Sequence, residues 1–224
     1  MPQTSNKAAS LMCWYVRFTR FATTHLVRLQ ENEASCGPSC VMMAHCRMNR
    51  LTTVTDGMAT EQGMVQNVRT VVPGKAGWDP ANDATSGNDI VTLLNSFGIG
   101  QWECTFVGPL SLAGALRDQA SFFNLSSVPV IVHVDWGHWV LIDYMFGKYA
   151  VVCDPWDAQV HVTSVVDGQA VVYNNRSPVL AWSIPPVWKT RQGGGTGSFS
   201  GWIIRCTGMD VTARAGKVLL GNGF

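Results

Sequence analysis

The chain has 224 residues, of which 46% are hydrophobic and 14% are charged, and its formal net charge is +1. This composition supports a folded core and excludes a disordered chain. The small net charge gives no reason to expect a nucleic acid or an anionic membrane as a partner. No run of about 20 apolar residues predicts a transmembrane helix. The apolar residues 11–16 are too few for a signal peptide and precede Arg17 and Arg20. We therefore expect cytoplasmic synthesis, with a signal-less secretion route if the protein acts outside the cell.

Seven cysteines are an odd number, so at least one stays unpaired in any monomeric disulfide scheme. Four of them, Cys13, Cys104, Cys153 and Cys206, stand among apolar neighbours, as buried free thiols usually do. The cysteine pattern therefore favours a reducing compartment.

In chain order, residues 1–10 are polar, and residues 11–29 fit either a helix or a strand. Apolar residues at helical spacing, together with capping residues, predict four helices in the first half. These cover about 36–49, 58–71, 90–97 and 112–123, with a loop over 72–86.

From residue 128 the pattern changes to runs rich in Val, Ile and Tyr, which predict strands. The first three cover 128–135, 139–146 and 149–153, and shorter ones cover 159–166, 169–173, 178–184 and 201–206. Asp167-Gly168 predicts a hairpin turn, and the glycines 193–195 predict a flexible loop.

A cysteine opens the first of these helices, in the run Cys36-Gly37-Pro38-Ser39-Cys40, and Gln30 precedes it by six residues. A thiol at a helix N-terminus lies at the positive end of the macrodipole, which favours the thiolate. Pro38 fits the first turn of such a helix. The side chain of Gln30 and the backbone N–H of Cys36 are candidate donors to an oxyanion. The pattern is typical of a nucleophile with its oxyanion hole.

A base for this nucleophile is available far downstream. His138 lies in Gly137-His138-Trp139, and Asp154-Pro155 follows it after sixteen residues. Two strands joined by a tight turn would bring His138 and Asp154 side by side. Cysteine, histidine and aspartate in this order indicate nucleophilic catalysis.

These residues resemble the papain-like cysteine peptidases, and within them the bacteriocin-processing peptidases that cut double-glycine leaders. Those have a glutamine six residues before the cysteine, a Cys-Gly-x-x-Cys helix start and an aspartate that orients the histidine. The resemblance covers roughly residues 28–160. It implies an α+β fold with the cysteine on a central helix of the N-terminal half and the histidine and aspartate in an antiparallel β half. We predict an N-terminal extension over 1–27 and one domain over 28–224, in which 160–224 continues the sheet or adds a small β extension.

The resemblance also implies a function: hydrolysis of peptide bonds in a polypeptide substrate without metal or organic cofactor. Cys36, His138 and Asp154 would be the catalytic residues, with Gln30 at the oxyanion. Around them, Gly37 would admit the substrate backbone, and Trp136, Gly137 and Trp139 would line the binding subsites.

Other functions remain open on the same residues. One is a peptidoglycan amidase or endopeptidase, and another is a protein deamidase or acyl transferase; either would act as a bacterial toxin or effector with a delivery or immunity partner. The third is a non-catalytic binding module, against which the intact Cys36, His138 and Asp154 argue.

Several residues compete for these roles. His133 is the rival base, Cys40 reads as a core thiol one turn into the helix, and Asp143 and Asp157 are alternative partners for the histidine. His45 fits a helix-surface residue, and no partner pattern accompanies His25 or His161. Cys36, Cys40, His45 and Cys46 match no common zinc spacing, so no metal site is predicted.

Overall fold

The computed structural model describes residues 13–19, 21–49, 60–124, 127–175 and 194–208, which form a mixed α+β structure with a large antiparallel sheet. The described helices are α1 (Cys36–Met48), α2 (Glu61–Val71), α3 (Gly87–Ser96) and α4 (Leu112–Ala120). The described strands are β1 (Trp14–Phe18), β2 (Thr24–Arg28), β3 (Gln101–Phe106), β4 (Val130–Val134), β5 (His138–Phe146), β6 (Tyr149–Asp154), β7 (Gln159–Ser164), β8 (Val172–Asn174) and β9 (Thr196–Gly208). No described helix has the length and apolar character needed to cross a membrane.

The large sheet has seven strands in the order β3-β9-β4-β5-β6-β7, and β8 pairs with β9 beside this path. Side chains alternate between its faces, as the two-residue period of a strand requires. On β4, Ile131 faces one core cluster while Val130 and Val132 face the other. Residues of α1 and α3 complete the first cluster, and residues of α4 complete the second. The sheet therefore lies between helices, and α1 is buried along most of its length.

Within residues 11–29, whose pattern fitted either a helix or a strand, the described residues contain the antiparallel strands β1 and β2, which form a hairpin. The hairpin is attached to the rest of the fold, because Arg17 Nε donates to the carbonyl oxygen of Ala158 at 2.8 Å and Val27 lies in the first core cluster. The boundary near residue 28 stays a prediction, but the described residues before it share the main core.

The four predicted helices are present, and the second begins at Glu61 after the N-cap Thr60, whose side chain accepts from the N–H of Gly63. Strand β3 was not predicted, because its polar residues carry no clear period and its partner β9 lies about a hundred residues away. The predicted hairpin at Asp167-Gly168 is wrong: β8 starts at Val172 and pairs with β9, not with β7. The predicted strand over 178–184 lies outside the described residues.

Candidate active site

Cys36 is the first residue of α1, whose first turn contains no acidic side chain. The positive end of the helix dipole therefore acts on the thiol without competition from a carboxylate of that turn. The preceding loop is fixed by Ser35, whose hydroxyl donates to the carbonyl oxygen of Asn32 at 3.1 Å and accepts from the Asn32 N–H at 3.3 Å. Cys36 itself is 7% exposed. The thiol is therefore nearly buried, at the start of a helix that the core holds in place.

The side chain of His138 and the backbone N–H groups of Trp139 and Gly37 lie close enough to Cys36 to influence its thiol. Burial opposes ionisation of the thiol and is the largest single influence. The hydrogen bond and charge of His138, with the two backbone donors, outweigh it and lower the pKa of Cys36 below its usual value. This arrangement favours a thiolate.

His138 also contacts Asp154, with its Nε2 atom 2.7 Å from Asp154 Oδ1. Because Asp154 occupies Nε2, Nδ1 is the ring nitrogen that remains for Cys36. Burial lowers the pKa of His138, but the charge and hydrogen bond of Asp154, followed by those of Cys36, outweigh it and raise that pKa to about 10. Burial likewise disfavours the Asp154 carboxylate, and the His138 charge overcomes this and holds its pKa well below the usual range. Cys36, His138 and Asp154 therefore lie next to one another, with a direct hydrogen bond between His138 and Asp154.

The turn before His138 explains its position at the first residue of β5. Gly137 has φ +83, a conformation that residues with a Cβ rarely adopt, and its N–H donates to the carbonyl oxygen of Val134 at 3.0 Å. Trp136 of the same turn stacks on the imidazole of His138 with ring centroids 4.6 Å apart. The turn thus places His138 at the N-terminus of α1, and Trp136 of this turn covers one face of the imidazole ring.

Gln30 lies near this site because its N–H donates to the carbonyl oxygen of Pro155, the residue after Asp154, at 2.7 Å. Its side-chain Nε2 donates to the carbonyl oxygens of Asn32 at 2.9 Å and Glu33 at 3.1 Å. An amide nitrogen carries two hydrogens. Gln30 can therefore donate to an oxyanion only if both carbonyl oxygens accept the same hydrogen, or if one of these two hydrogen bonds breaks when substrate binds.

Two predicted subsite residues have different roles in the structure. Trp139 was expected to line a subsite, but its side chain is buried in the core, where Nε1 donates to the carbonyl oxygen of Thr85 at 3.3 Å. Gly37 was expected to admit the substrate backbone. A Cβ there would meet the Thr85 hydroxyl and lie 2.7 Å from Ile90 Cδ1, so packing of α1 against α3 already requires the glycine.

The rival base His133 lies on β4, where its Nδ1 is 3.0 Å from the hydroxyl oxygen of Ser200. Its ring packs edge-on against Trp139, and burial, with the charge of His138, lowers its pKa. Cys40 is buried and donates through Sγ to the carbonyl oxygen of Trp139 at 3.4 Å. His133 and Cys40 both lie close to the Cys36–His138 pair, but neither takes the place of Cys36 or His138 in it.

Two further histidine–carboxylate pairs were missed by the sequence analysis. His25 Nδ1 is 2.6 Å from Asp143 Oδ2, and Arg47 Nε donates to Asp143 Oδ1 at 2.8 Å. His161 Nε2 is 3.0 Å from Asp157 Oδ2. The spacing of four residues between Asp157 and His161 was a usable signal, whereas His25 and Asp143 are 118 residues apart.

Two buried clusters among the described residues have ligand-type atoms close enough for a metal ion, namely His25–Asp143–Cys153 and Asp154–Asp157–His161. Asp143 is already engaged by His25 and Arg47, and Asp154 by His138. The carboxylates that would bind a cation therefore have hydrogen-bonding or ionic partners. All seven cysteines lie in the described residues and are free of disulfides.

No family model matches the chain, and no curated protein does. Among solved structures, the chain is similar to the crystal structure of a double glycine motif protease from an AMS/PCAT transporter in complex with the leader peptide. The TM-score is 0.43 at 15% sequence identity, and the match covers 86% of this chain and 99% of that chain.

Proposed function

We propose that the protein is a papain-like cysteine peptidase that hydrolyses peptide bonds in a polypeptide substrate. The observation that carries the proposal is the His138–Asp154 hydrogen bond beside Cys36, with the pKa of the thiol lowered and that of the imidazole raised. A buried thiolate–imidazolium pair backed by a carboxylate is the form that a cysteine nucleophile needs.

Each member of the chain has one chemical role. The Cys36 thiolate attacks the carbonyl carbon of the scissile bond and forms a tetrahedral intermediate. His138 then gives its proton to the leaving amine, which departs and leaves a thioester on Cys36. Water hydrolyses the thioester with His138 as the base, and the thiolate is regenerated. Asp154 holds the imidazole in the tautomer and orientation that this proton transfer needs.

The developing oxyanion receives donors from two sources. The backbone N–H of Cys36 lies at the start of α1, where the first N–H groups of a helix have no intrahelical acceptor. The Gln30 amide is the second donor, supplied when substrate competes with Asn32 and Glu33 for its hydrogens. Donors of this kind are worth about 2.7–4 kcal/mol each in a comparable hydrolase.

The polypeptide substrate is proposed from the sequence resemblance around Gln30, Cys36, His138 and Asp154. Incubation of the protein with a denatured protein library and, separately, with purified peptidoglycan tests it, each against Cys36→Ala. We expect new protein termini that depend on Cys36. Muropeptides released from the peptidoglycan alone would replace the peptidase by a wall hydrolase. A gain of one dalton on protein glutamines without cleavage would replace it by a deamidase, and identical results for Cys36→Ala and the wild type would exclude catalysis by Cys36.

A further inference from the structure

Asp154 receives four hydrogen bonds, although the proposed chemistry uses only one of them. Oδ1 accepts from His138 Nε2 at 2.7 Å and from the backbone N–H of Trp156 at 2.8 Å. Oδ2 accepts from the hydroxyl of Tyr173 at 2.5 Å and from Nδ2 of Asn175 at 3.0 Å. A carboxylate has about four lone-pair sites, so these donors saturate it. The oxygen that His138 does not use is held by residues at and just beyond β8.

The orientation of the Asn175 amide follows from its second contact. Its Oδ1 accepts from the N–H of Gly195 at 2.8 Å, which leaves the NH₂ group to face Asp154. The backbone lies close on this side, because a Cβ at Gly194, where φ is +110, would collide with the Asn175 amide. The segment just before β9 therefore fixes Asn175, which in turn fixes Asp154.

Tyr173 is equally constrained. Its side chain is fully buried, stacks on Phe199 of β9 with ring centroids 5.5 Å apart, and contacts the ring of His161 edge-on. A phenol in this packing has little freedom to turn its hydroxyl away from Asp154. The bond of 2.5 Å is of the short kind that a donor makes to an ionised carboxylate.

We propose that Tyr173 and Asn175 are positioning residues of the active site, which clamp Oδ2 of Asp154 so that Oδ1 faces His138. This inference rests on the proposed function, and it gives a role in catalysis to the β8–β9 region, which lies outside residues 28–160 that contain the sequence motifs. Without the clamp the carboxylate turns about its χ2 bond, and the support it gives to the His138 imidazolium, and through it to the Cys36 thiolate, weakens.

Other titratable groups also surround Asp154, and they stay in place when the clamp is altered. Asp154 interacts electrostatically with His138 on β5, His161 on β7, Asp157 in the β6–β7 turn, Cys153 on β6 and Cys40 on α1. Removal of a hydroxyl or an amide leaves all these charges unchanged. A shift in the titration of Cys36 in such a variant therefore reports the clamp.

The test is the pH dependence of Cys36 alkylation by iodoacetamide in the full-length protein, followed by mass spectrometry from about pH 4 to 10. We expect the midpoint to move to higher pH by about one unit in Tyr173→Phe, a tenfold loss of thiolate below the midpoint. Asn175→Ala should move it in the same direction. The control is Thr163→Val, which removes a β7 hydroxyl that donates at 2.8 Å to the carbonyl oxygen of Val172, the neighbour of Tyr173 on β8, and does not contact Asp154.

Wild-type midpoints in both Tyr173→Phe and Asn175→Ala would overturn the clamp and leave these residues a purely structural role. Tyr173→Phe keeps the ring, so the test survives if Asn175→Ala does not fold. The proton shared by His138 and Asp154 gives a second readout by NMR, and it should shift in Tyr173→Phe and not in Thr163→Val. A wild-type Cys36 that ionises like an ordinary thiol would overturn the proposed function, whereas an unshifted proton in Tyr173→Phe would overturn the clamp alone.

Discussion

Cys36 and Cys40 are one helical turn apart, and each lies against a different backbone group of Trp139, the N–H for Cys36 and the carbonyl for Cys40. The N–H of Trp139 acts on the sulfur of Cys36 and helps to lower its pKa, and the carbonyl oxygen of Trp139 accepts from the Sγ of Cys40 at 3.4 Å. An N–H stabilises a thiolate, whereas a carbonyl oxygen requires a protonated thiol. Burial and the charges of Cys36, Asp154 and Cys153 raise the pKa of Cys40 well above its usual value, while that of Cys36 is lowered. Strand β5 thus contacts two cysteines on the same side of α1 whose thiol pKa values are shifted in opposite directions.

This difference predicts which thiol reacts first. At about pH 6, iodoacetamide should alkylate Cys36 faster than any other cysteine. Cys13 and Cys104 are internal controls, because both are more exposed than Cys36 and burial raises the pKa of each. Peptide mapping of the labelled sites measures the order. Preferential labelling of Cys13 or Cys104 would mean that access, not ionisation, governs reactivity, and would contradict an activated Cys36.

The base is tested by comparing two histidines on neighbouring strands. His138→Ala should abolish peptide hydrolysis, because it removes both the proton acceptor and the positive charge next to Cys36. His133→Ala should keep activity within about tenfold of the wild type, since His133 contacts Ser200 and the ring of Trp139. The measurement is kcat/KM on one peptide, with circular dichroism to check folding. The reverse pattern would assign the base to β4.

The pKa directions predict a bell-shaped pH profile. The thiolate forms as pH rises through the lowered pKa of Cys36, and the imidazolium is lost as pH rises through the His138 pKa of about 10. Hydrolysis should therefore persist well above pH 7 and fall near pH 10. The charge of Asp154 raises the His138 pKa, so Asp154→Asn should move the upper limb to lower pH.

Asp135→Asn is the matched control for this profile, because Asp135 lies in the turn before His138 but its Oδ2 accepts from the N–H of Ser198. It should leave the upper limb in place. An unchanged upper limb in Asp154→Asn would contradict the role of Asp154.

The raised pKa of His138 also affects the stability of the fold. The charged His138 stabilises the folded state fully at pH values below its ordinary pKa of 6.5, and this stabilisation is lost as pH rises through about 10.

Gln30→Ala separates oxyanion stabilisation from nucleophile activation. Loss of one oxyanion donor should lower kcat by about 100-fold or more. Alkylation of Cys36 by iodoacetamide should be unchanged, because attack on a saturated carbon produces no oxyanion. An equal loss in both reactions would show instead that Gln30 acts by holding the loop through Asn32 and Glu33. A normal kcat would exclude it as a donor.

Gly37 is expected to be required for stability. Gly37→Ala places a methyl group against Thr85 and Ile90 and should lower the free energy of unfolding by about 1–3 kcal/mol. Gly114→Ala is the control, because Gly114 lies inside α4 with no heavy atom within 4 Å of the added Cβ. It should raise the free energy of unfolding by roughly 0.5–1 kcal/mol. Urea unfolding measures both, and equal midpoints would contradict the packing argument.

Local patterns in the sequence predicted the elements whose causes are local. The helix that begins at Cys36, the strands around His138 and Asp154, and their order along the chain follow from short-range periodicity, caps and turn residues. Recognition of Cys36, His138 and Asp154 as a set depended on spacing and resemblance.

The contacts between segments far apart in the chain were decided only by the tertiary structure. The chain turns at Asp167-Gly168, where Gly168 has φ +72, but β8 pairs with β9 in place of the predicted hairpin, because backbone hydrogen bonds with a long strand compete with a local hairpin. The same pairing brings Tyr173 and Asn175 to Asp154. The sequence already favoured Cys36 over Cys40, and the structure adds the physical cause from about a hundred residues away. His138, and after it the backbone N–H of Trp139, lowers the pKa of Cys36, whereas the Trp139 carbonyl oxygen accepts from Cys40. Protonation depends on burial and on donors from other elements, and one-dimensional spacing contains neither.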